Sequence, residues 1–591
     1  FSLPFGQGRS ACVIITMKTL WPYLRRFGKP AIIATIATIV LAFATLWQPR
    51  LLQSMMNAII ADDQKTVLRL GIWLVGLAVL GIAAGIVNTF YSAKTAVGVA
   101  TTMRRDLYAQ VQKFAFADIE QFSASNLVVR MTNDVNQVQG MLMSVFQIVF
   151  RVPVLFVGAL ILALITIPRM WWVIVLMIVI VVLIAVFGTK KMGGLFAKVQ
   201  TDIDEVNTIA RENLMGVRVV KSFNQEPQQI KQFTTASDRM VDITVKIGYT
   251  FSWMMPGFFL IANLTCVGVL LLVGRSIGAH PSDLAAVSSF ISYVMQLLMA
   301  IINASFILTG ATRAFVSLGR IGKLLEHEPS MVLPQGPEEK LTGSLEFNDV
   351  TFTYPGDQEP TLKNVSFKVK PGEMLGIVGA TGSGKSTLAQ LIPRLFDVDR
   401  GTIRIGGQDV RDLNAATLRS NVAMVLQRAT LFSGTIANNL RQGKPDATLP
   451  DMRWAANVAQ SAEFIDRLDA HFDAQVEERS ANFSGGQKQR LAITRGVIGK
   501  PTILIMDDST SALDARSERL VQDALNHELQ DTTTVLIAEK LSAVIRADQI
   551  LVVDHGQIVA AGTHEELVKT SPIYQEIYQT QRALEGSEAH A

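Results

Sequence analysis

The chain has 591 residues, more than one compact hydrophobic core normally holds, so we expect at least two domains. Hydrophobic residues make up 49% and charged residues 18%, against about 25% charged in ordinary soluble proteins, so apolar residues must be concentrated in part of the chain. The net charge of +4 is small beside 54 basic and 50 acidic residues, which indicates no nucleic acid or other polyanionic partner. The two cysteines, Cys12 and Cys266, lie far apart, which argues against a disulfide framework and against the usual metal-binding spacings.

The first residues, 1–16, precede Met17 and lack the charged n-region and the long apolar h-region of a signal peptide. We expect them to be an upstream extension or a cloning remnant, with Met17 as the natural start. The next segment, Lys18–Lys29, mixes aromatic and basic residues. That composition is typical of a helix lying in the membrane interface.

Six long apolar runs dominate residues 17–325. Each is about long enough to cross a ~30 Å hydrocarbon core as a helix. Buried helices of a soluble core would be neither so long nor so many, so we predict a transmembrane domain of six helices. The runs cover Ala31–Trp47, Leu70–Tyr91, Met141–Ile167, Trp171–Phe187, Thr250–Val273 and Leu284–Leu308.

The connections between the runs predict their orientation. Basic residues precede the first run and are frequent in the two long connections, which follow the second and the fourth runs. The other connections are short or acidic. By the positive-inside rule, both termini and the two long connections are expected in the cytosol. We predict that the long connections are helical extensions that project below the membrane.

The segment Glu326–Lys340 contains three prolines and several acidic residues, so we assign a linker to residues 326–342. Beyond it, short apolar strands such as Ile503–Met506 alternate with loops and helical segments. Residues 343–591 are enough for one α/β domain with a C-terminal tail. The predicted fold is therefore a polytopic α-helical membrane domain fused to a soluble α/β domain.

The segment Gly379–Thr387, GATGSGKST, follows an apolar strand and opens a predicted helix, and it fits the phosphate-loop pattern G-x-x-x-x-G-K-[ST]. Backbone N–H groups of such a loop surround phosphates, and the helix N-terminus adds positive potential. We expect Lys385 to meet the β- and γ-phosphates of ATP and Ser386 to ligate Mg²⁺. The predicted nucleotide-binding residues of the loop are Gly379, Thr381, Gly382, Ser383, Gly384, Lys385, Ser386 and Thr387.

A second motif, TILIMD, ends at Asp507. An aspartate at the end of an apolar strand is placed to hold Mg²⁺ through water. Such an aspartate is common by itself, but together with a phosphate loop in the same domain it predicts an α/β P-loop nucleotide-binding domain that uses ATP and Mg²⁺.

Between these motifs lies Asn482–Arg490, NFSGGQKQR. With it, the motifs occur in the order Tyr354, GATGSGKST, Gln427, FSGGQ, ILIMDD and SALD. In this combination the chain resembles an exporter-type ATP-binding cassette (ABC) half-transporter over nearly all of residues 17–580. The resemblance implies that Tyr354 stacks on adenine and that Gln427 touches the metal and the γ-phosphate region.

The resemblance also implies roles toward a second subunit. Asp514, at the end of SALD, would communicate across the dimer interface. Segments 118–122 and 217–223 would be coupling helices that dock on nucleotide-binding domains. The signature loop would close over the ATP held by the other subunit, and its residues here are Ser484, Gly485, Gly486 and Gln487.

Two positions depart from the family pattern. The family's catalytic glutamate, which polarises the attacking water, is Asp508 here; its carboxylate retreats by about 1.5 Å, whereas general-base catalysis needs heavy atoms within ~3.2 Å. The family's histidine at the γ-phosphate is Glu539 here, and a carboxylate is repelled by phosphate and cannot donate the hydrogen bond. One substitution could be neutral drift or a retuned enzyme. Two in one site, with every binding motif kept, favour a site that binds ATP and hydrolyses it poorly.

This pattern predicts one subunit of a heterodimeric bacterial multidrug exporter in the cytoplasmic membrane. A second half-transporter would supply the catalytic glutamate, and the substrate would be hydrophobic or amphipathic. Two alternatives stay open: a translocase of the same fold that moves lipids or peptides, even inward, and an ATP-gated homodimeric membrane protein with little hydrolysis.

Few residues in the spans point to a substrate. Met295, Gln296 and Met299 in the sixth span and Trp253–Met255 in the fifth would suit an adaptable hydrophobic cavity, and equally a packing or lipid-facing surface. Arg151 lies near the cytosolic end of the third span, where we interpret it as snorkelling toward the interface.

Overall fold

The computed structural model describes residues 18–276 and 283–588, so the predicted extension 1–16 and Met17 lie outside the described residues. The described chain forms two compact units. The first contains residues up to Gln112 together with Ser125–His327, and the second contains Lys113–Ala124 together with the residues from Glu328 onward. The predicted domain boundaries at residues 325 and 342 stay predictions.

In the described residues, six helices of the membrane unit are long and apolar enough to cross a membrane, which confirms the predicted six spans. The helix Glu226–Ser276 has 51 residues. At about 1.5 Å per residue it is roughly 75 Å long, more than twice the thickness of the ~30 Å hydrocarbon core. The spans lie within Gly28–Ile60, Gln64–Val111, Ala124–Thr166, Pro168–Met215, Glu226–Arg275 and Asp283–Leu325.

The third of these runs is the least regular. Two π-helical turns, Arg130–Asp134 and Val145–Val149, interrupt it before the final segment Arg151–Thr166. Shorter helices cover Phe116–Phe122 and Val217–Ser222 in the two long connections. A helix also covers residues 18–26, where the sequence predicts an interfacial helix.

Small residues and a few polar bonds hold the first spans together. The first span buries alanines such as Ala34 along its packed face, and small residues let helix backbones approach closely in a membrane. The buried Asn88 of the second span donates hydrogen bonds to the carbonyl oxygens of Ala34, at 3.0 Å, and Phe146, at 3.3 Å. Thr38 donates to the same Phe146 oxygen at 2.7 Å. Such bonds join three helices where no water competes.

The second unit is built on a six-stranded sheet in the order β12-β11-β3-β10-β9-β6, beside a four-stranded antiparallel sheet in the order β2-β1-β4-β5. The larger sheet is parallel except for its edge strand β12. The strands are β1 Leu345–Phe352, β2 Leu362–Val369, β3 Met374–Val378, β4 Arg400–Ile405, β5 Gln408–Asp409, β6 Val422–Val425, β7 Gly434–Thr435, β8 Gln475–Val476, β9 Ile503–Asp507, β10 Thr533–Ile537, β11 Gln549–Asp554 and β12 Gln557–Gly562.

Every residue of β9 and β10 is buried, as expected of parallel strands covered on both faces. The helices of this unit are Lys385–Leu391, Ala415–Asn421, Ile436–Leu440, Leu449–Val458, Ala462–Ile465, Gly485–Val497, Ala515–Glu528, Leu541–Val544, His564–Thr570 and Pro572–Glu588, with 3₁₀ turns at His471–Asp473 and Glu478–Ser480.

The register of the parallel strands brings the predicted motifs to one edge of the sheet. Ile537 of β10 pairs with Asp507 of β9 and with Ile377 of β3. The phosphate loop follows β3, Asp508 follows β9 and Glu539 follows β10, so all of them leave the sheet at its carboxyl edge. Open α/β sheets bind their ligands at this edge.

Candidate nucleotide-binding site

The phosphate loop depends on glycine at two of its corners. Gly384 has φ of +104° and precedes the helix Lys385–Leu391. A Cβ there would lie 2.8 Å from the Leu362 side chain, and a Cβ on Gly379 would lie 2.0 Å from the Val553 carbonyl oxygen. These positions accept only glycine, because the left-handed backbone and the close neighbours exclude a side chain. The loop therefore turns tightly at both glycines.

The polar groups of the loop fit a polyanion. The Lys385 Nζ donates to the carbonyl oxygens of Gly379, at 2.9 Å, and Ala380, at 2.8 Å. Burial lowers the pKa of Lys385, while the carboxylates of Glu539, Asp507 and Asp508 raise it. The Ser383 hydroxyl is buried and has no hydrogen-bond partner among the described residues. A phosphate would give both groups the anionic acceptor that they lack.

Asp507 and Ser386 form the part of the site that fits Mg²⁺. The Ser386 hydroxyl donates to the Asp507 carboxylate at 3.0 Å. Asp507 is buried, and burial raises its pKa; the bond from Ser386 opposes that shift, and the charge of Asp508 adds to it. Hydroxyl and carboxylate oxygens are ligands that Mg²⁺ prefers. The described residues hold no group of three or more His, Cys, Asp or Glu that could bind a metal ion.

These groups line one cavity of about 320 Å³. Gln427 donates from its Nε2 to the Asp508 carboxylate at 3.2 Å. Glu539 is exposed to the cavity, and its main-chain oxygen accepts a hydrogen bond from Gln581. Thr361 and Ile537 also line the cavity, and the sequence does not predict them because they belong to no motif. The lining residues are Thr361, Thr381, Gly382, Gly384, Lys385, Ser386, Thr387, Gln427, Asp507, Asp508, Ile537 and Glu539.

Tyr354 does not line this cavity. Its hydroxyl lies 3.0 Å from the Thr387 hydroxyl and donates to Gln390 at 3.2 Å. Its half-buried ring packs edge-on against Phe352 and Phe396, with centroids 5.0 and 5.3 Å away. The tyrosine is therefore fixed to the helix that follows the phosphate loop, and its stacking on adenine stays a prediction.

The signature loop has a different environment. Ser484 and Gln487 form a capping box at the start of the helix Gly485–Val497, with the Ser484 N–H donating to the Gln487 side chain at 2.9 Å. A Cβ on Gly485 would meet nothing within 4 Å, whereas one on Gly486 would lie 3.2 Å from the Ala512 oxygen. None of these residues lines the cavity described above. The open face of Gly485 leaves room for another group to approach the helix N-terminus.

Asp514 also caps a helix. Its carboxylate accepts the N–H groups of Arg516, at 3.1 Å, and Ser517, at 2.9 Å, at the start of Ala515–Glu528. The Ser517 hydroxyl donates to it as well, and these bonds lower the pKa of Asp514. The role in subunit communication stays a prediction beside this local one.

Known proteins share both units of the chain. The model of the ABC transporter transmembrane region matches residues 31–301, and the ABC transporter model matches residues 362–511. The chain is 36% identical, over 97% of its length, to the whole of the uncharacterized ABC transporter ATP-binding protein YfiB of Bacillus subtilis. The chain belongs to the ABC transporter family. It is a multi-pass membrane protein of the exporter type, with an ABC ATPase domain.

Further relatives of this ABC exporter have more specific names. It is 35% identical to the ATP-dependent lipid A-core flippase of Aromatoleum aromaticum, over 84% of this chain and 82% of that protein. The solved structure of a bacterial Atm1-family ABC exporter with ATP bound shares its fold, with a TM-score of 0.76 and 23% identity over 94% of this chain and 99% of the other.

The first predicted coupling segment of this ABC exporter, 118–122, lies in the helix Phe116–Phe122, which belongs to the same compact unit as the nucleotide-binding domain. Asp118 is buried, and its carboxylate accepts the N–H groups of Ala115, at 2.9 Å, and Ser330, at 3.0 Å. Phe116 packs edge-on against Phe396, the ring that also contacts Tyr354. This helix therefore packs close to the nucleotide site of its own chain, and its role in coupling stays a prediction.

The second predicted coupling segment, 217–223, forms the helix Val217–Ser222. Several of its apolar side chains are exposed, with Val219 at 61% and Phe223 at 70% of their full surface. Its docking on a nucleotide-binding domain stays a prediction.

Proposed function

We propose that this ABC exporter moves hydrophobic or amphipathic compounds out of the bacterial cytoplasm as one half of a heterodimer. Both termini face the cytosol. Its own ATP site binds Mg²⁺-ATP and hydrolyses it slowly, and its signature loop completes the competent site of the partner. One observation carries the proposal: Asp508 and Glu539 line the same cavity as Lys385, Ser386 and Asp507.

The charges in that cavity support binding without fast hydrolysis. Three carboxylates and one ammonium group meet there, so the γ-phosphate would face negative charge at Glu539 where the family has a donor. Ser386, Asp507 and Gln427 would hold Mg²⁺, which when bound supplies the positive charge that offsets the acids and the phosphates. Asp508 is the shorter acid, and Gln427 already occupies one of its oxygens. A water aligned for attack would lie out of its reach.

The signature loop supports the second half of the proposal. Its serine and both glycines are kept, and its helix N-terminus offers N–H groups and positive potential to a phosphate from outside this chain. A partner with an intact glutamate would therefore hydrolyse ATP against this loop. Closure of the two ATPase domains would turn the spans outward, and hydrolysis in the partner's site would reset them.

The experiment compares the two sites of the co-expressed pair. We expect the purified chain alone to bind ATP with little turnover. In the complex, changing the partner's glutamate to glutamine should abolish turnover, whereas Asp508→Asn should cost far less. Equal losses would mean that the sites are equivalent, and brisk turnover of the chain alone would contradict the heterodimer.

Ser484→Ala tests the signature loop, with Thr563→Ala as its matched control. Both residues cap a helix in a capping box with the residue three positions on. Each change should cost about 1 kcal/mol of stability. Turnover of the complex should fall only for Ser484→Ala. An equal fall for both variants would mean that Ser484 acts only as a helix cap.

A second candidate substrate class is lipid. The lipid A-core flippases of Aromatoleum aromaticum and Vibrio cholerae, 35% and 31% identical to this chain, favour it. Stimulation of the ATPase activity of the co-expressed pair by a panel of amphipathic drugs and lipids would separate lipid translocation from multidrug export.

A further inference from the structure

A cavity of about 480 Å³ in the membrane unit is bordered by the first, third and sixth spans. This volume is within the range of small-molecule sites. Its wall combines methionines with carboxamides and one arginine, Arg151. The sequence contains these residues on separate spans, and the fold brings Met295, Gln296 and Met299 of the sixth span together with Arg151 of the third.

No acidic side chain pairs with Arg151 in the part of the chain that the structure describes. Among the described residues it forms no ion pair, and its Nε is buried with no hydrogen-bond partner. The sequence contains no aspartate or glutamate in 28–60, 135–166 or 284–325, the parts of the chain that supply the wall. Arg151 is half-buried, and a charged side chain within a membrane span costs free energy unless it is paired and usually faces the bundle interior or a functional cavity.

Two further observations point to a ligand at the same place. The Gln296 Oε1 is buried and has no hydrogen-bond partner among the described residues, although its Nε2 lies 3.5 Å from the Thr45 carbonyl oxygen. The π-helical turn Val145–Val149 ends two residues before Arg151 and includes Gln147, which lines the cavity. Turns of this kind occur frequently at functional sites. The cavity thus presents a donor and an acceptor that the described part of the chain leaves unpaired.

We propose that this cavity binds the anionic group of an amphipathic substrate, with Arg151 as the charged anchor and Met295 and Met299 against the apolar part. The inference rests on the proposed export function and narrows its substrate class to acidic amphipaths. Arginine suits this role because its planar fork donates two N–H groups to one oxyanion. Methionine side chains adapt to apolar groups of different shape, so the charge would set the selectivity.

The test uses two probes with one ring system: 1-anilinonaphthalene-8-sulfonate, which carries a sulfonate, and N-phenyl-1-naphthylamine, which does not. Equilibrium dialysis against the purified full chain in maltoside micelles, with micelles alone as the blank, measures each Kd. We expect Arg151→Met to weaken the binding of the sulfonate probe about tenfold and that of the neutral probe less than about twofold. Arg151→Lys, which keeps the charge, should retain most of the wild-type difference in affinity between the two probes. Met299→Ala should weaken the binding of both probes by the same factor.

Arg50→Met is the matched control, because Arg50 lies on the first helix, does not line the cavity and already has Gln53 as a partner. It should change neither Kd. Equal losses of both probes in Arg151→Met, or equal affinities of the wild-type chain for both, would overturn the inference. ATP binding by the same preparations reports the folding of each variant. Turnover plays no part in this assay, so a failure of the slow-hydrolysis proposal would leave its result unchanged.

Discussion

Restoring the two family residues should turn the site that we propose to be slow into a hydrolytic one. Asp508→Glu lengthens the acid by one methylene, and Glu539→His replaces the repelled carboxylate with a hydrogen-bond donor. Both positions line the cavity that contains Lys385 and Ser386, so the change acts where the γ-phosphate is expected. The variant combines both substitutions, because either one leaves the other defect in place.

A positioned general base contributes about 10²–10⁴-fold to a rate. We expect at least about a hundredfold gain in turnover, which corresponds to about 2.7 kcal/mol of the activation barrier. The gain has a structural cost. Asp508 has φ of +44°, a left-handed conformation that aspartate tolerates better than glutamate. Asp508→Glu should therefore lose about 1 kcal/mol of stability, a fall of a few degrees in Tm.

The assay is phosphate release by the purified full chain at saturating Mg²⁺-ATP. The control is Asp508→Gln with Glu539→His, which has the length of glutamate and no basic carboxylate. The glutamate variant should exceed both this control and the wild-type chain. Equal rates for the glutamine and glutamate variants would refute the reasoning, because a base would then make no difference at this position.

Three further predictions follow from single contacts. Glu539→Gln removes one of three carboxylates around Lys385, so ATP binding without Mg²⁺ should tighten about fivefold, by about 1 kcal/mol, in a titration with EDTA. Asp118→Ala leaves two backbone N–H groups without their acceptor, so the thermal midpoint of the nucleotide-binding domain should fall by the equivalent of about 2 kcal/mol; Asp118→Asn, which keeps an acceptor oxygen, should cost less. Gly485→Ala places a methyl group in open space, so Tm should stay within about 1 °C while turnover of the complex falls at least tenfold; unchanged turnover would contradict the outward role of the loop.

Much of the nucleotide site could be predicted because its signals are local. The phosphate loop needs glycine at fixed offsets, and the strands before it and before Asp507 are continuous apolar runs. Once both motifs belong to one parallel sheet, the strand register places Lys385, Asp507 and Glu539 at the same edge. Lys385 and Glu539 lie 154 positions apart in the chain, and the strand register still requires them to be near each other.

Other placements depend on contacts that no motif records. The first predicted coupling helix packs through Phe116 and Asp118 on Phe396 and Ser330, residues more than 200 positions away. The Tyr354 hydroxyl binds Gln390, a residue with no family signature. Hydropathy predicts that a charged residue such as Arg151 is unfavourable in a membrane span, but it does not predict which helices surround it. The cavity that Arg151 lines forms only where three spans pack together.

The two departures from the family pattern differ in how far the local structure explains the residue found at each position. The Asp508 N–H donates to the Ile537 oxygen at 2.9 Å, and its left-handed φ lets the chain leave the sheet there. Aspartate therefore has a local reason to occupy position 508 that is independent of catalysis.

At Glu539 the backbone does not have the left-handed φ that favours aspartate at position 508. Glu539 adds a third carboxylate to a cavity that already holds Asp507 and Asp508, which is unfavourable until positive charge arrives. If slow hydrolysis results mainly from this charge, Glu539→His alone should recover more of the lost rate than Asp508→Glu alone. If the missing reach of the base dominates, the order of the two single variants reverses. The same phosphate-release assay therefore shows which of the two acids sets the rate.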